Sequence, residues 1–218
     1  LGIETPSDDG LRECGKIQNV SRNLVDAVRV INGHGMQVMG GFIVGFDSDT
    51  ENIFETQIKF IQKTGVVTAM VGLLNALPQT RLWQRLKAEG RLLDNTTGEN
   101  TDGTLNFIPK MEKEKLFNGY SKILSSIYSS KNYYRRIDTL LKYYKPTVRG
   151  RISKTMLTAF VKSMWQIGML SNNRFLYWKL LSKTFLTKIR SLNVAIELAI
   201  YHHHFKISSQ RIVRSYIG

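Results

Sequence analysis

The chain has 218 residues, 42% of them hydrophobic, a single cysteine and a formal net charge of +14. One cysteine excludes an internal disulfide framework, no apolar run reaches the ~18 residues of a membrane span, and a cytoplasmic setting is the default expectation. The charge is uneven: residues 1–110 carry 11 Lys/Arg against 13 Asp/Glu, and residues 111–218 carry 20 against 4, so two regions with different tasks are expected.

The chain opens inside an apolar strand, Leu1-Gly2-Ile3-Glu4, which Pro6 and Ser7 stop. No cap precedes it, so the sequence reads as a fragment of a larger protein. Ser7 to Gly15 predicts a helix. A second helix follows, with Val20, Leu24, Val25, Val28 and Ile31 at helical spacing, Ser21 as candidate N-cap and Gly33-His34-Gly35 as its stop. Residues 36–46 form a nearly continuous apolar strand of the kind buried on both faces of a parallel sheet. The turn Asp47-Ser48-Asp49-Thr50-Glu51 leads into a helix carrying Ile53, Phe54, Ile58 and Ile61. Gly65 ends that helix, residues 66–77 give a third strand, and Pro78-Gln79-Thr80 starts an amphipathic helix that stops at Glu89-Gly90-Arg91.

Strand and helix thus alternate three times, which argues for right-handed βαβ units in a parallel sheet or barrel segment. In such folds functional groups collect where the strands end. Residues 94–110 are polar and aperiodic and read as a linker between a unit at 1–93 and a basic helical domain at 111–218. Helices are expected near 112–130, 132–145, 152–170, 172–190 and 192–206, with Pro146 and Gly150 separating the second from the third.

Several residues carry two readings. Glu4 at a strand end can accept two hydrogen bonds from a diol, or can cap the helix near Ser7. Lys16 can hold an anion or be a solvated charge. Gly40, Gly41 and Gly45 weaken a strand unless something approaches closely, whether a ligand or a packed helix. Asp47, Asp49 and Glu51 resemble metal ligands by type, but helix capping is the stronger reading at a helix start. His202, His203 and His204 point about 100° apart on a helix and cannot converge on one ion, so a partly exposed helix end accounts for them better. Cys14 reads as a small packing residue, and His34 as part of a turn. The basic helices interleave lysines and arginines with Phe160, Trp165, Phe175, Tyr177, Trp178, Phe185 and Tyr201. That pattern suits a plain helical bundle, an anionic membrane surface or lipid substrate, or, third in order, nucleic acid.

The strings Gly2-Ile3-Glu4-Thr5-Pro6-Ser7, Gly15-Lys16-Ile17-Gln18-Asn19 and Gly40-Gly41-Phe42-Ile43-Val44-Gly45-Phe46-Asp47 form an ordered set. With Leu77-Pro78-Gln79-Thr80-Arg81-Leu82 and Lys87-Ala88-Glu89-Gly90-Arg91-Leu92, the set resembles the later half of a radical S-adenosylmethionine (SAM) barrel, nearest to the cobalamin-binding subgroup. The resemblance covers residues 1–145 well and the remaining helices weakly. It implies an α/β fold: a partial (β/α) barrel segment of about three βα units followed by an all-α C-terminal region. It also implies that Glu4 lies near the SAM ribose and that Lys16 reaches the methionine carboxylate. The backbone of Gly41, Ile43 and Gly45 would lie against the adenine, with Asn75, Ala76 and Leu77 as a second adenine-contacting edge. Many relatives have glycine where Gln79 stands. The parent would carry a [4Fe–4S] cluster and cobalamin on residues absent from this chain, take electrons from a donor, and generate a 5′-deoxyadenosyl radical or transfer a methyl group to an unactivated carbon. Cys14 alone cannot ligate such a cluster, so the isolated chain is expected to be inert. The competing expectation is a non-catalytic module acting through its basic aromatic helices at a membrane periphery or on nucleic acid.

Overall fold

The computed structural model describes residues 1–93, 105–147 and 154–217. The Gly150 break and most of the expected linker lie outside the described residues. Three strands, β1 (Gly2–Glu4), β2 (Met39–Val44) and β3 (Thr68–Leu73), form one sheet in the order β1-β2-β3. Both pairings are parallel, with Gly2 opposite Gly41 and Gly41 opposite Met70. Parallel neighbours need crossovers, and helices α1 (Asp8–Glu13) and α2 (Leu24–Gly33) supply the first and α3 (Asn52–Thr64) the second. Helix α4 (Arg81–Ala88) follows β3.

Local chemistry sets the helix ends. Ser7 Oγ accepts from the Gly10 amide, and Thr80 Oγ1 accepts from the Trp83 amide, satisfying donors that a first turn leaves open. Gly65 ends α3 with left-handed backbone. The cap of α2 is Asn23, whose side chain accepts from the Asp26 amide, and not Ser21. Ser21 is itself left-handed (φ 56°) and donates its amide and hydroxyl to the Asp8 carboxylate, which pulls it out of the helix.

After Phe107, which bridges to Leu92, the described chain is helical: α5 (Lys113–Ile127), α6 (Ser130–Tyr143), α7 (Lys154–Ser163), α8 (Arg174–Lys188) and α9 (Leu192–Ile217). Two boundaries differ from expectation. The α-helical geometry of α7 stops at Ser163 and continues as a π-helical turn to Met169, where the Trp178 indole N–H donates to the Gly168 carbonyl at 2.9 Å. Helix α9 runs past 206 to Ile217.

The expected partly exposed histidine cluster is also corrected. His203 and His204 are exposed, but His202 is fully buried against the Tyr133 ring (4.7 Å) and the edge of Tyr134 (5.4 Å). Desolvation pushes its pKa down to about 4, so the ring is neutral in the core.

One apolar core joins the sheet to the helices. Phe42, Val44, Val71 and Leu73 pack with Phe54, Ile58 and Ile61 of α3 and with Leu116, Ile123 and Ile127 of α5. The helices are also tied to β3 by polar bonds: Tyr120 Oη donates to Val71 O at 3.0 Å, and Tyr128 Oη to Ala69 O at 2.6 Å. Fully buried Arg136 donates to Ile127 O at 2.6 Å and to Val67 O at 3.3 Å. Helix α5 comes so close to α3 that a Cβ on Gly119 would run into the Phe54 ring.

The apolar run of β2 predicts burial on both faces; one face is fully buried, and the other is covered only toward its C-terminal end, where Ile43 packs on the cluster of Phe46, Leu74, Leu86 and Phe107. Phe42, Val44, Ala69 and Leu73 face the core, whereas Met39 and Met70, adjacent on the other face, are 52% and 48% exposed. Hydropathy along a strand records how apolar it is, not whether a second layer covers it, and the described residues leave the Met39 and Met70 part of the second face open.

Candidate functional site

The open sheet face and the strand ends above it bring several of the predicted residues together. Period-two alternation puts Gly41 and Ile43 on the open face with Gly2 opposite Gly41, and the register shifts between Gly2 and Glu4 so that the Glu4 carboxylate lies over Gly2 on the same face. Lys16, from the turn after α1, reaches over the same edge, and its Nζ lies 3.3 Å from Glu4 Oε1. The pair passes directly across Gly2, where an added Cβ would collide with Glu4 Oε1 and stand 3.1 Å from Lys16 Nζ. Its partner Gly41 is open: a Cβ added there would have only Leu1 O within 4 Å, at 3.8 Å. Gly40 is different: a Cβ there would meet the Phe42 ring at 2.9 Å and Val66 at 3.0 Å. Core packing therefore accounts for Gly40, while nothing in the described chain presses on Gly41. A carboxylate and an ammonium group thus stand over bare backbone.

Glu4 is held in an unusual state. Its φ is 68°, in the left-handed region that costs an L-residue roughly 1–2 kcal/mol. Such backbone strain clusters at ligand-binding positions. Gln79, at the end of the third strand's loop, has φ 67°, the conformation glycine takes freely and the one that a glycine at this turn would supply.

The β2 turn is fixed by charge. Gly45 has φ 102°, and its amide and that of Phe46 both donate to Asp49 Oδ2, at 2.9 and 3.1 Å. Burial pushes the Asp49 carboxyl up to about 6, against the pull of those two amides. Asp47 does not cap the helix. It forms a two-point pair with Arg91 at 2.7 and 2.8 Å and a third contact with Arg85 at 3.2 Å. Hydrogen bonding to Arg91 holds its carboxyl below the usual range. Glu13 from α1 pairs with Arg85 at 2.9 Å and accepts from the amides of Asp47 and Ser48. Glu51 pairs with Lys115 at 2.8 Å. No group of three or more histidines, cysteines or acids placed to hold a metal occurs among the described residues.

After β3, Asn75 and Ala76 are buried and Leu77 is half exposed. Ala76 has both backbone groups bonded to one side chain: its amide donates to Asn106 Oδ1 at 2.9 Å and its carbonyl accepts from Asn106 Nδ2 at 2.8 Å. Nothing in the sequence singles out Asn106, since it lies 30 residues away with no periodic signal. Cys14 is exposed, which corrects its reading as a packing residue: the α1 cap turns it outward, and partial desolvation pushes its thiol pKa up. His34 sits in the turn after α2 as expected, with Nδ1 2.8 Å from the Val30 carbonyl.

A family model described as a domain of unknown function, DUF4070, matches residues 80–217. The chain belongs to the DUF4070 family. Curated relatives extend the match to the rest of the DUF4070 chain. It is 32% identical over its whole length to an uncharacterized methyltransferase of Synechocystis, of which it covers 41%. It is 26% identical over 93% of its length to the hopanoid C-2 methylase of Rhodopseudomonas palustris, of which it covers 39%. A 26% match over 63% of the chain is to bacteriochlorophyllide d C-12(1)-methyltransferase of Chlorobaculum tepidum, and covers 30% of it. The chain therefore spans about two fifths or less of the length of these relatives. No solved structure matches it.

Proposed function

We propose that this DUF4070 chain is part of a methyltransferase of the cobalamin-binding radical SAM type and that it supplies one wall of the SAM pocket. The carrying observation is the Glu4–Lys16 pair over the bare backbone of Gly2 and Gly41. The methyltransferase names of its relatives support the same reading.

The residues present fit SAM. Glu4 offers two acceptor oxygens to a ribose diol, Lys16 offers an ammonium to the methionine carboxylate, and their 3.3 Å contact holds both charges until a ligand separates them. Gly41 leaves room for a flat ring against β2, with Ile43 beside it as an apolar contact. Gly45 and the Asp49 brace fix the strand end from which that surface starts. Asn75, Ala76 and Leu77 form the neighbouring edge, held in place by Asn106. When bound, SAM supplies a transferable methyl group or, after one-electron reduction, a carbon-centred radical.

The residues do not fit the other two groups. A single exposed cysteine cannot hold a [4Fe–4S] cluster, and no step is assigned to a cluster or to cobalamin. In this proposal both are carried by polypeptide outside these residues, as are the electron-donor contact and the substrate site.

The test is SAM affinity of the full-length protein by calorimetry, with S-adenosylhomocysteine as a second ligand. Glu4→Ala should weaken binding about tenfold, the loss of one charge-assisted contact, while the melting temperature stays within a few degrees. Unchanged affinity for both ligands in Glu4→Ala and in Gly41→Val would remove this wall from the pocket.

A further inference from the structure

Helix α8 is apolar on two opposite sides. Tyr177, Leu180, Leu181 and Thr184 are buried against the bundle. On the far side Phe175, Trp178, Phe185 and Leu186 follow one another at i, i+3, i+10 and i+11, and all are exposed, Phe175 at 76% and Leu186 at 80%; Ile189, in the 3-10 turn that follows α8, is exposed as well. On a helix turning about 100° per residue those positions fall within roughly a 100° arc, so they form a single stripe. The Trp178 bond to Gly168 joins the stripe to the π-helical turn, where Trp165, Met169 and Leu170 are also exposed. Nothing among the described residues covers this surface.

The charge around it has one sign. Between Asp138 and Glu197 the sequence contains 11 Lys/Arg and not one acid. Lys183 pairs with Asp138 at 2.8 Å, and Lys188 donates to the Leu141 and Lys142 carbonyls, so those two are engaged with the bundle. Arg174 stands 5.2 Å from the Phe175 ring, Lys179 flanks the stripe on its other side, and exposed Arg190 follows in the turn after α8.

We infer that α8 docks the protein on an anionic lipid bilayer, lying in the interface with the Phe175–Leu186 stripe among the acyl chains and Arg174, Lys179 and Arg190 at the headgroups. No described helix is long and apolar enough to cross a membrane, and a 15-residue helix lying in the plane does not need to be. A bilayer explains the aliphatic members of the stripe as well as the aromatic ones. Nucleic acid would stack on Phe and Trp but gains nothing from Leu186 or Ile189. The inference is independent of the SAM reading, since it uses none of the same residues.

The test is co-sedimentation of the full-length protein with vesicles of phosphatidylcholine alone and of phosphatidylcholine mixed with phosphatidylglycerol. Binding should be roughly tenfold stronger to the anionic vesicles and should weaken as salt rises. Phe175→Ser with Phe185→Ser should abolish it, and Lys179→Glu with Arg190→Glu should remove the preference for phosphatidylglycerol. Brominated lipid in the anionic vesicles should quench a component of tryptophan emission that disappears in Trp165→Phe. That measurement stands even if the serine variant misfolds. Three results would overturn the inference: no retention on anionic vesicles, retention on single-stranded RNA but not on vesicles, or a dimer in solution that the serine variant converts to monomer.

Discussion

The strand-end region and the helical region treat polar groups in opposite ways. At the strand ends, charges are neutralised in pairs across distant segments: Asp47 with Arg91, Glu13 with Arg85, Glu4 with Lys16. In the helical core the buried polar groups meet backbone carbonyls or aromatic rings with no countercharge, as Arg136, Tyr128 and His202 do, and the lysines stay outside. The first arrangement fixes the loops around the exposed part of the sheet. The second fastens helices onto a sheet. Strain follows the same division, since the left-handed non-glycine residues among the described ones, Glu4, Ser21 and Gln79, all lie in the strands' half of the chain and none in the helical region.

The largest effect expected from this contrast concerns the fastening. Gly119 is the point where α5 meets α3, and a valine there would drive its Cβ into the Phe54 ring. Overpacking a closed contact of this kind costs about 3 kcal/mol. If sheet and helices are one cooperative unit, as their common core implies, Gly119→Val should lower the urea midpoint of near-ultraviolet and far-ultraviolet signals together. Separate transitions for the two signals would show that the two regions fold apart and would break the comparison at its base.

The next effect belongs to the strand ends. The Asp49 carboxyl titrates near 6 in the folded chain and near 3.8 when unfolded, because burial penalises its charge. The folded state therefore holds the proton more tightly. Its contribution is most favourable below the unfolded value and declines as pH rises from about 4 to about 6, by an amount on the order of 2–3 kcal/mol. Asp49→Asn keeps an acceptor for the Gly45 and Phe46 amides without the charge. The variant should match the parent near pH 4 and be more stable above pH 6.5, measured by denaturant unfolding at both values. Equal stability at the higher pH would mean that the two amides fully offset the burial.

Much of this architecture can be read in the sequence, for identifiable reasons. The strand starts and stops are marked by Pro6, Gly33, Gly65 and Pro78, and helical spacing marks the apolar faces of α2, α3 and α4. Pairing across 44 residues is not marked, so Asp47 looks like a helix cap until Arg91 is placed beside it. Asn106 and Arg136 are equally silent, because each acts on carbonyls or amides that any residue could present. The covering of β2 is illegible for another reason: Met39 and Met70 are apolar, and only the position of the helices tells which face is buried. The Glu4–Lys16 juxtaposition is reachable only through the family resemblance, as the two residues have no fixed spacing rule.

The smallest effect separates strain that serves structure from strain that serves a ligand. Gln79 and Glu4 have nearly the same φ, 67° and 68°. In each case a glycine would relieve a left-handed L-residue, offset in part by the entropy glycine adds to the unfolded chain, for a net gain of about 0.5 kcal/mol. Gln79→Gly should therefore raise the melting temperature slightly and leave SAM affinity unchanged. Glu4→Gly gains the same backbone relief but gives up the Lys16 contact, a partly exposed pair worth well under 1 kcal/mol, so its stability should stay close to the parent's. What should distinguish the two is affinity: Glu4→Gly should lose SAM binding as Glu4→Ala does, whereas Gln79→Gly should not. If both glycine variants gain stability and neither loses affinity, the strain at Glu4 is a feature of the turn alone, and the strand ends differ from the helical region in packing but not in purpose.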